Sequence, residues 1–255
     1  MNLEKNKWIV FPKKHESKIS PKKVLICFAH SGGGASVYHH WEKLLSPEIE
    51  IWRVQLPGRE ERWDERLERS MPELIAKICD GLTLSLRNIH IPYLFFGHSL
   101  GSLVTFETAR ELRRRNMKLP QQLIVSGREA PQCPDPDPPI RDLPEKEFLI
   151  ELRKYEGTPE SFFQDPDLIK FFLPILRADF TLGETYQYRD EPPLDCPLTV
   201  YGSVADPNLT TEGLRAWEKQ TTNDFQLRMF EGHHFYLHER QPIFFQTLAK
   251  DCLKY

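Results

Sequence analysis

The chain has 255 residues, of which 40% are hydrophobic, and its 34 basic and 37 acidic residues leave a formal net charge of −3. This length and composition predict a globular protein with a substantial core in a single domain, residues 1–255. The balanced charge excludes the broad basic surface that grips nucleic acid, so we expect no nucleic acid partner.

The five cysteines are widely separated and odd in number, and no two form a CxxC pair. This pattern favours neither a disulfide framework nor a zinc site, and it is typical of a reducing compartment. The first twenty residues contain no apolar segment of signal-peptide length, and no apolar run in the chain approaches the roughly 18 residues of a membrane span. We therefore expect a cytoplasmic protein with no membrane contact, and we take a monomer as the working assumption.

Short apolar runs rich in β-branched and aromatic residues alternate with longer amphipathic segments. Such alternation predicts an α/β fold, in which a mostly parallel sheet is covered by helices. The predicted strands are VLICFA at 24–29, IEIWRVQL at 49–56, YLFFGHS at 93–99, QLIVSG at 122–127, LTVYGS at 198–203 and FQLRMF at 225–230.

Two helical regions are indicated by their ends and by their place between strands. Ser70 and Glu73 have the spacing of a capping box around Pro72, which predicts a helix start. Residues 141–190 contain two helix-like stretches with no strand between them, so we interpret this segment as a helical lid over the carboxyl ends of the sheet. Pro174 is expected to end or kink a helix of that lid.

The most specific motif is Gly97-His98-Ser99-Leu100-Gly101, which follows a predicted strand and opens a predicted helix. In the G-x-S-x-G turn, the serine lies on a strained corner and the glycines allow the strand and the helix to approach each other. The motif in this context predicts that Ser99 is the nucleophile of an α/β-hydrolase.

A serine hydroxyl needs a base, and the fold places an acid and then a histidine after the nucleophile in the chain. Asp206 follows the strand at 198–203, where the triad acid belongs. Asp195 and Asp224 precede their strands and should lie at the opposite edge of the sheet. Three histidines are candidates for the base, namely His233, His234 and His238. The residues alone do not choose between the adjacent His233 and His234.

Six short runs resemble the stand-alone, type II thioesterases of non-ribosomal peptide and polyketide synthesis, over residues 24 to about 245. The runs are FAHSGGGAS at 28–36, QLPGREER at 55–62, FGHSLG at 96–101, LPILRADF at 173–180, GSVADP at 202–207 and EGHHFYL at 231–237. Near its end the family has a Gly-Gly-His-Phe-Phe-type run, and this alignment makes His234 the base. His233 then replaces a glycine, and Tyr236 replaces the second phenylalanine.

The resemblance also implies an oxyanion hole and a substrate. The oxyanion donors would be the backbone N–H groups of Ser31 and Leu100. The substrate would be an acyl or aminoacyl thioester on the phosphopantetheine arm of a carrier protein, and the activity would be removal of stalled or incorrect groups from a synthase. No enzyme-bound cofactor or metal is expected. His30, Arg59 and Arg62 receive no catalytic role.

Two other functions remain open at this point. The same residues could hydrolyse a small ester or an acyl-CoA, because fold does not fix function. Alternatively, the hydrolase body could serve as a catalytically silent binding protein, although the presence of Ser99, Asp206 and His234 argues against silence.

Overall fold

The computed structural model describes residues 6–12, 19–135, 137–155, 157–239 and 241–255. Within these residues, seven strands form one sheet in the order β1-β3-β2-β4-β5-β6-β7, and all neighbouring pairs are parallel except β1 and β3. The strands are β1 Ile9–Val10, β2 Lys23–Phe28, β3 Ile49–Val54, β4 Tyr93–His98, β5 Leu123–Ser126, β6 Leu198–Ser203 and β7 Phe225–Phe230. The predicted α/β class, with the α/β-hydrolase arrangement of a mostly parallel sheet, is confirmed.

Helices cover both faces of this sheet. Two apolar clusters, formed by side chains of the strands and of the helices, pack the helices onto the sheet. The helices are α1 Trp41–Leu44, α2 Met71–Asn88, α3 Leu100–Arg114, α4 Glu145–Arg153, α5 Glu160–Phe163, α6 Pro166–Glu184, α7 Thr211–Arg215 and α8 Pro242–Cys252. The central strands are buried along their whole length, which explains why their sequences are continuous apolar runs without alternation. No helix within the described part of the chain has the length and apolar character needed to span a membrane.

The start of α2 was predicted correctly, but the predicted capping interaction is absent. Ser70 occupies the N-cap position with an extended backbone and Pro72 lies in the first turn, yet the Ser70 side chain makes no capping hydrogen bond. Gly81, an unfavourable residue inside a helix, is explained by packing, because a Cβ atom there would lie 2.3 Å from the Trp8 ring. Tertiary contact therefore decides the residue at this position.

Residues 141–190, the segment interpreted as a lid, contain α4, α5 and α6 between β5 and β6. Of the two outcomes expected at Pro174, an end or a kink, the end does not occur, since α6 continues through it to Glu184. Proline removes one backbone donor from the helix, but the buried face that includes Ile175, Leu176 and Leu182 keeps the segment helical.

The cysteines are all free thiols, and four of the five are buried. Burial raises the pKa of the Cys79 and Cys196 thiols to about 12, and it raises the pKa of Cys27 and Cys252 as well. Cys133 is partly exposed, although burial raises the pKa of its thiol as well. Because the thiolate is the reactive form and needs access to the reagent, the native protein should react with Ellman's reagent at Cys133 first, and guanidinium should release all five thiols.

The measurement is the absorbance change in native buffer and in denaturant, both without reductant. Replacing Cys133 with serine should abolish the fast native reaction. A total below five in denaturant would indicate a disulfide and contradict the burial pattern.

Candidate active site

Ser99 lies on a strained turn between β4 and α3. Its backbone has φ +53° and ψ −118°, a region that non-glycine residues rarely adopt. A Cβ atom at Gly97 would lie 2.1 Å from the Gly101 carbonyl oxygen, and one at Gly101 would lie 2.2 Å from the Phe28 carbonyl oxygen. The two glycines of the motif are therefore required by the close approach of the strands and the helix.

Asp206 and His234 are brought together by the loops that follow β6 and β7. The His234 Nδ1 atom lies 2.6 Å from the Asp206 Oδ2 atom, and both side chains are buried. The other carboxylate oxygen of Asp206 accepts the backbone N–H of Asn208 at 3.0 Å. With both oxygens bonded, the carboxylate can fix the ring orientation of His234 and favour a proton on Nδ1, which leaves Nε2 free to accept a proton.

The other candidate acids and bases lie elsewhere. Asp195 and Asp224 precede β6 and β7, at the edge of the sheet opposite Asp206, as the sequence predicted. His233 is exposed, whereas the adjacent His234 is buried against Asp206. The Nε2 atom of His238 lies 3.2 Å from the Nε2 atom of His30, so this pair bonds to itself.

His30 has the hydrogen-bonding role expected of it. Its Nδ1 atom lies 3.0 Å from the Ser31 carbonyl oxygen and must donate, so Nε2 of the neutral ring accepts from His238. Burial, together with the nearby His238, lowers the pKa of His30 to about 3. His30 therefore remains neutral at physiological pH and holds the loop after β2 beside the loop after β7.

The predicted oxyanion donors, Ser31 and Leu100, line the same cavity as Ser99 and His234. Among the described residues, neither backbone N–H group has a hydrogen-bond partner. Leu100 is the first residue of α3, where N–H groups lack partners within the helix and the helix dipole favours negative charge. Both groups are available to an oxygen that gains charge near Ser99.

Tyr236, which departs from the family pattern, is accounted for by a buried hydrogen-bond chain. Its hydroxyl lies 2.6 Å from the Ser126 hydroxyl, which in turn lies 2.9 Å from Nδ1 of His98. His98 precedes Ser99, and its ring lies against the ring of His234 with centroids 5.0 Å apart. The chain thus supports the His234 ring and the turn that carries Ser99, and a phenylalanine at position 236 could not complete it.

Among the residues that sequence reasoning missed is Asp179 of α6, which lies in the wall of the site. Its carboxylate accepts two hydrogen bonds from the Arg59 guanidinium, at 2.7 and 2.8 Å, and both side chains are buried. The sequence assigns Arg59 no catalytic role, and the structure places it in a buried ion pair in the wall of the site. Asp179 lies in the run LPILRADF, which carries part of the family resemblance. Nothing in the sequence indicated that Asp179 would pair with Arg59, 120 residues away.

Two cavities meet at Ser99 and His234, with volumes of about 390 and 460 Å³. Arg128 and Tyr155 also line both. The carboxylates of Asp135, Asp137 and Glu184 also line both cavities. Apolar side chains of segment 141–190 cover much of the remaining wall of the first cavity, namely Leu152, Phe162, Leu168, Phe172, Leu176 and Phe180. The second has a more polar wall that includes Glu129, Gln132, Tyr186, Tyr188 and Asn208.

Comparison with known proteins places the chain in a family. Residues 23–252 match the family model described as a thioesterase domain. The chain is 39% identical over 243 residues to LgrE of Brevibacillus parabrevis, named linear gramicidin dehydrogenase, covering 94% of this chain and 90% of the relative.

Two solved structures extend the comparison. RedJ, a thioesterase from the prodiginine pathway of Streptomyces coelicolor, matches with a TM-score of 0.85 and 32% identity, covering 94% of this chain and 96% of RedJ. BorB, a type II thioesterase from the borrelidin biosynthetic cluster, matches with a TM-score of 0.82 and 31% identity, covering 96% of each chain. The resemblance inferred from the sequence is thereby confirmed, and the chain belongs to the thioesterase family.

Proposed function

We propose that this protein hydrolyses acyl and aminoacyl thioesters carried on the phosphopantetheine arm of carrier proteins, with Ser99 as nucleophile, His234 as base and Asp206 as orienting acid. The observation that carries the proposal is the position of Ser99 and His234 where an apolar cavity meets a polar one. A carrier-bound thioester has an acyl group on one side of the scissile bond and an amide-rich arm on the other. The two cavities match these two parts.

The proposed reaction has two stages. His234 accepts the proton of Ser99 as the hydroxyl oxygen attacks the thioester carbonyl, and the Ser31 and Leu100 N–H groups bind the resulting oxyanion. Collapse of this intermediate breaks the carbon–sulfur bond and releases the arm thiol, which takes the proton from His234. Water then attacks the acyl-serine, again with His234 as base, and yields the free acid.

The polar cavity suits a neutral arm better than an anion. Arg128 is its cation. The guanidinium makes no hydrogen bond or close ion pair with a described residue, although the charge of Asp135 acts on it, so its N–H groups can donate to amide carbonyl groups of the arm. Carboxylates of Glu129 and Glu184 share the wall and disfavour a phosphate at this depth. We therefore place the pantetheine amides in this cavity and the arm's phosphate outside it.

The relatives support an editing role. RedJ is a thioesterase of the prodiginine pathway, and BorB is a type II thioesterase of the borrelidin cluster. By analogy, we propose that this protein removes misprimed or stalled groups from a non-ribosomal peptide or polyketide synthase. The name of LgrE suggests a dehydrogenase, but this sequence has no G-x-G-x-x-G run of the kind that binds a dinucleotide.

The test compares kcat/KM of the purified protein on matched acyl groups in four chemical settings: an acyl carrier protein, acyl-CoA, the N-acetylcysteamine thioester and a p-nitrophenyl ester. We expect the highest value with the carrier protein. A preference for acyl-CoA or the ester would favour the alternative hydrolase, and no turnover of any of the four would favour a silent scaffold.

The apolar cavity leads to a prediction about chain length. Phe172 lines this cavity, whereas its neighbour Phe171 is 53% exposed and does not. Phe172→Ala should lower kcat/KM for a hexanoyl thioester by about 10-fold and leave the acetyl thioester almost unaffected, because only the longer chain reaches the lost ring. Phe171→Ala is the matched control and should change neither value. Equal losses on both thioesters would place the acyl chain elsewhere.

A further inference from the structure

A buried ion pair holds the loop that carries Ser31 from two sides. The loop, residues 30–34, follows β2. The Gly32 N–H donates to Asp179 Oδ2 at 2.7 Å, and the Gly33 carbonyl oxygen accepts from Arg59 Nη1 at 3.1 Å. The two side chains that make these contacts are joined to each other by two short hydrogen bonds, so the loop and the pair form one unit.

Position 32 of the loop requires glycine. Gly32 has φ +77°, and a Cβ atom there would lie 2.7 Å from the Leu176 side chain, one turn of α6 before Asp179. Arg59 and Asp179 are 4% and 1% exposed, so water does not compete for their hydrogen bonds. The lid helix α6 is therefore bonded to the loop, and a displacement of α6 at Asp179 would also move the Gly32 N–H.

The charges matter as well as the hydrogen bonds. The Asp179 carboxylate accepts the N–H of the residue directly after Ser31, and it lines the cavity in which the oxyanion would form. If the Asp179 carboxylate were not paired with a cation, its negative charge would oppose the developing oxyanion in a site of low dielectric. Arg59 supplies the compensating positive charge through a bidentate contact, which lysine cannot reproduce.

We propose that Arg59 and Asp179 are positioning residues, which fix the Ser31 N–H for transition-state binding and keep the carboxylate beside it neutralised. This inference rests on the proposed oxyanion hole. It assigns the lid helix α6 a part in catalysis as well as in covering the cavity. Neither residue touches the substrate in this role.

The test measures kcat and KM on an N-acetylcysteamine thioester, and inhibition by two matched compounds. A trifluoromethyl ketone adds to Ser99 and forms an oxyanion, whereas a thioether without a carbonyl group binds without one. Arg59→Met should lower kcat by about 10²–10³-fold, the cost of one oxyanion donor, and should weaken trifluoromethyl ketone binding in proportion. KM and thioether binding should remain unchanged.

Three further variants separate positioning from general stability. Arg62→Met is the matched control, because Arg62 is equally buried in the segment after β3 that also carries Arg59, but bonds to Glu65 and the Gln55 carbonyl oxygen. It should lower Tm and leave kcat unchanged. Asp179→Asn keeps an acceptor for the Gly32 N–H and should cost less than Arg59→Met. The double variant Arg59→Met/Asp179→Asn should recover activity relative to Arg59→Met, because no unpaired carboxylate remains.

Each outcome has a distinct meaning. A folded Arg59→Met protein that keeps the wild-type kcat, or one that loses both inhibitors equally, overturns the inference. If Arg59→Met does not fold, Arg59→Lys and Asp179→Asn carry the same comparison, and unchanged trifluoromethyl ketone binding in both would overturn it. Failure of the wild type to hydrolyse any thioester would instead reject the proposed function, before any variant is compared.

Discussion

Ser99→Ala should lower kcat for thioester hydrolysis by about 10⁴-fold or more, because in the proposed mechanism the Ser99 hydroxyl forms the acyl-enzyme. The strained backbone at Ser99 holds the side chain out of the sheet and at the junction of both cavities. Alanine tolerates the same space, so the fold and substrate binding should persist. The residual rate would come from the oxyanion donors and from orientation of the substrate.

The measurement is steady-state hydrolysis of an acyl carrier protein, with the melting temperature recorded alongside. Ser161→Ala is a matched control, since Ser161 also lines the apolar cavity. That variant should retain the wild-type kcat. If Ser99→Ala kept substantial turnover, the nucleophile would have to be another group or a directly activated water.

His234→Ala should cause a loss of similar size, about 10⁴-fold or more in kcat, because in the proposed mechanism His234 and Asp206 act as one unit with Ser99. The loss should appear in kcat with little change in KM, since the imidazole acts on the proton of Ser99. His234→Gln is the better-folded variant, because the amide can donate to the buried Asp206 carboxylate but cannot serve as a base.

The adjacent histidine provides the control. His233 is exposed, whereas His234 is buried with its Nδ1 atom on Asp206. His233→Ala should therefore retain nearly full activity in the same assay. If His233→Ala lost activity while His234→Ala kept it, the alignment with the family run would be shifted by one residue.

Much of the fold could be predicted because its signals are local. Each central strand is a continuous apolar run. The G-x-S-x-G turn requires glycine at positions 97 and 101, because a Cβ atom at either position would clash with the backbone. The positions of Asp206 and His234 followed from chain order and strand ends, since parallel strands bring their carboxyl ends to one edge. The choice between His233 and His234 needed the family resemblance, because neither hydrophobic periodicity nor position after the strand distinguishes two adjacent residues.

What escaped prediction depends on tertiary contacts. The two-residue strand Ile9–Val10 has no periodic pattern of its own and is defined by its pairing with β3. Asp179 and Arg59 are ordinary charged residues in sequence and become a unit only when α6 lies on the loop after β2. Pro174 lies inside α6 although proline is unfavourable in a helix interior, and packing of the buried helix face outweighs this local preference.

One direct measurement tests the central claim that Ser99 takes the acyl group from a carrier protein. The purified protein is mixed with an aminoacyl carrier protein, quenched in acid at short times, and both masses are recorded intact before peptide mapping. The account predicts that the carrier loses the acyl mass while the enzyme gains it transiently on the peptide that contains Ser99, and that Ser99→Ala shows neither change. A carrier that keeps its acyl group, or an adduct on a different residue, would contradict the account.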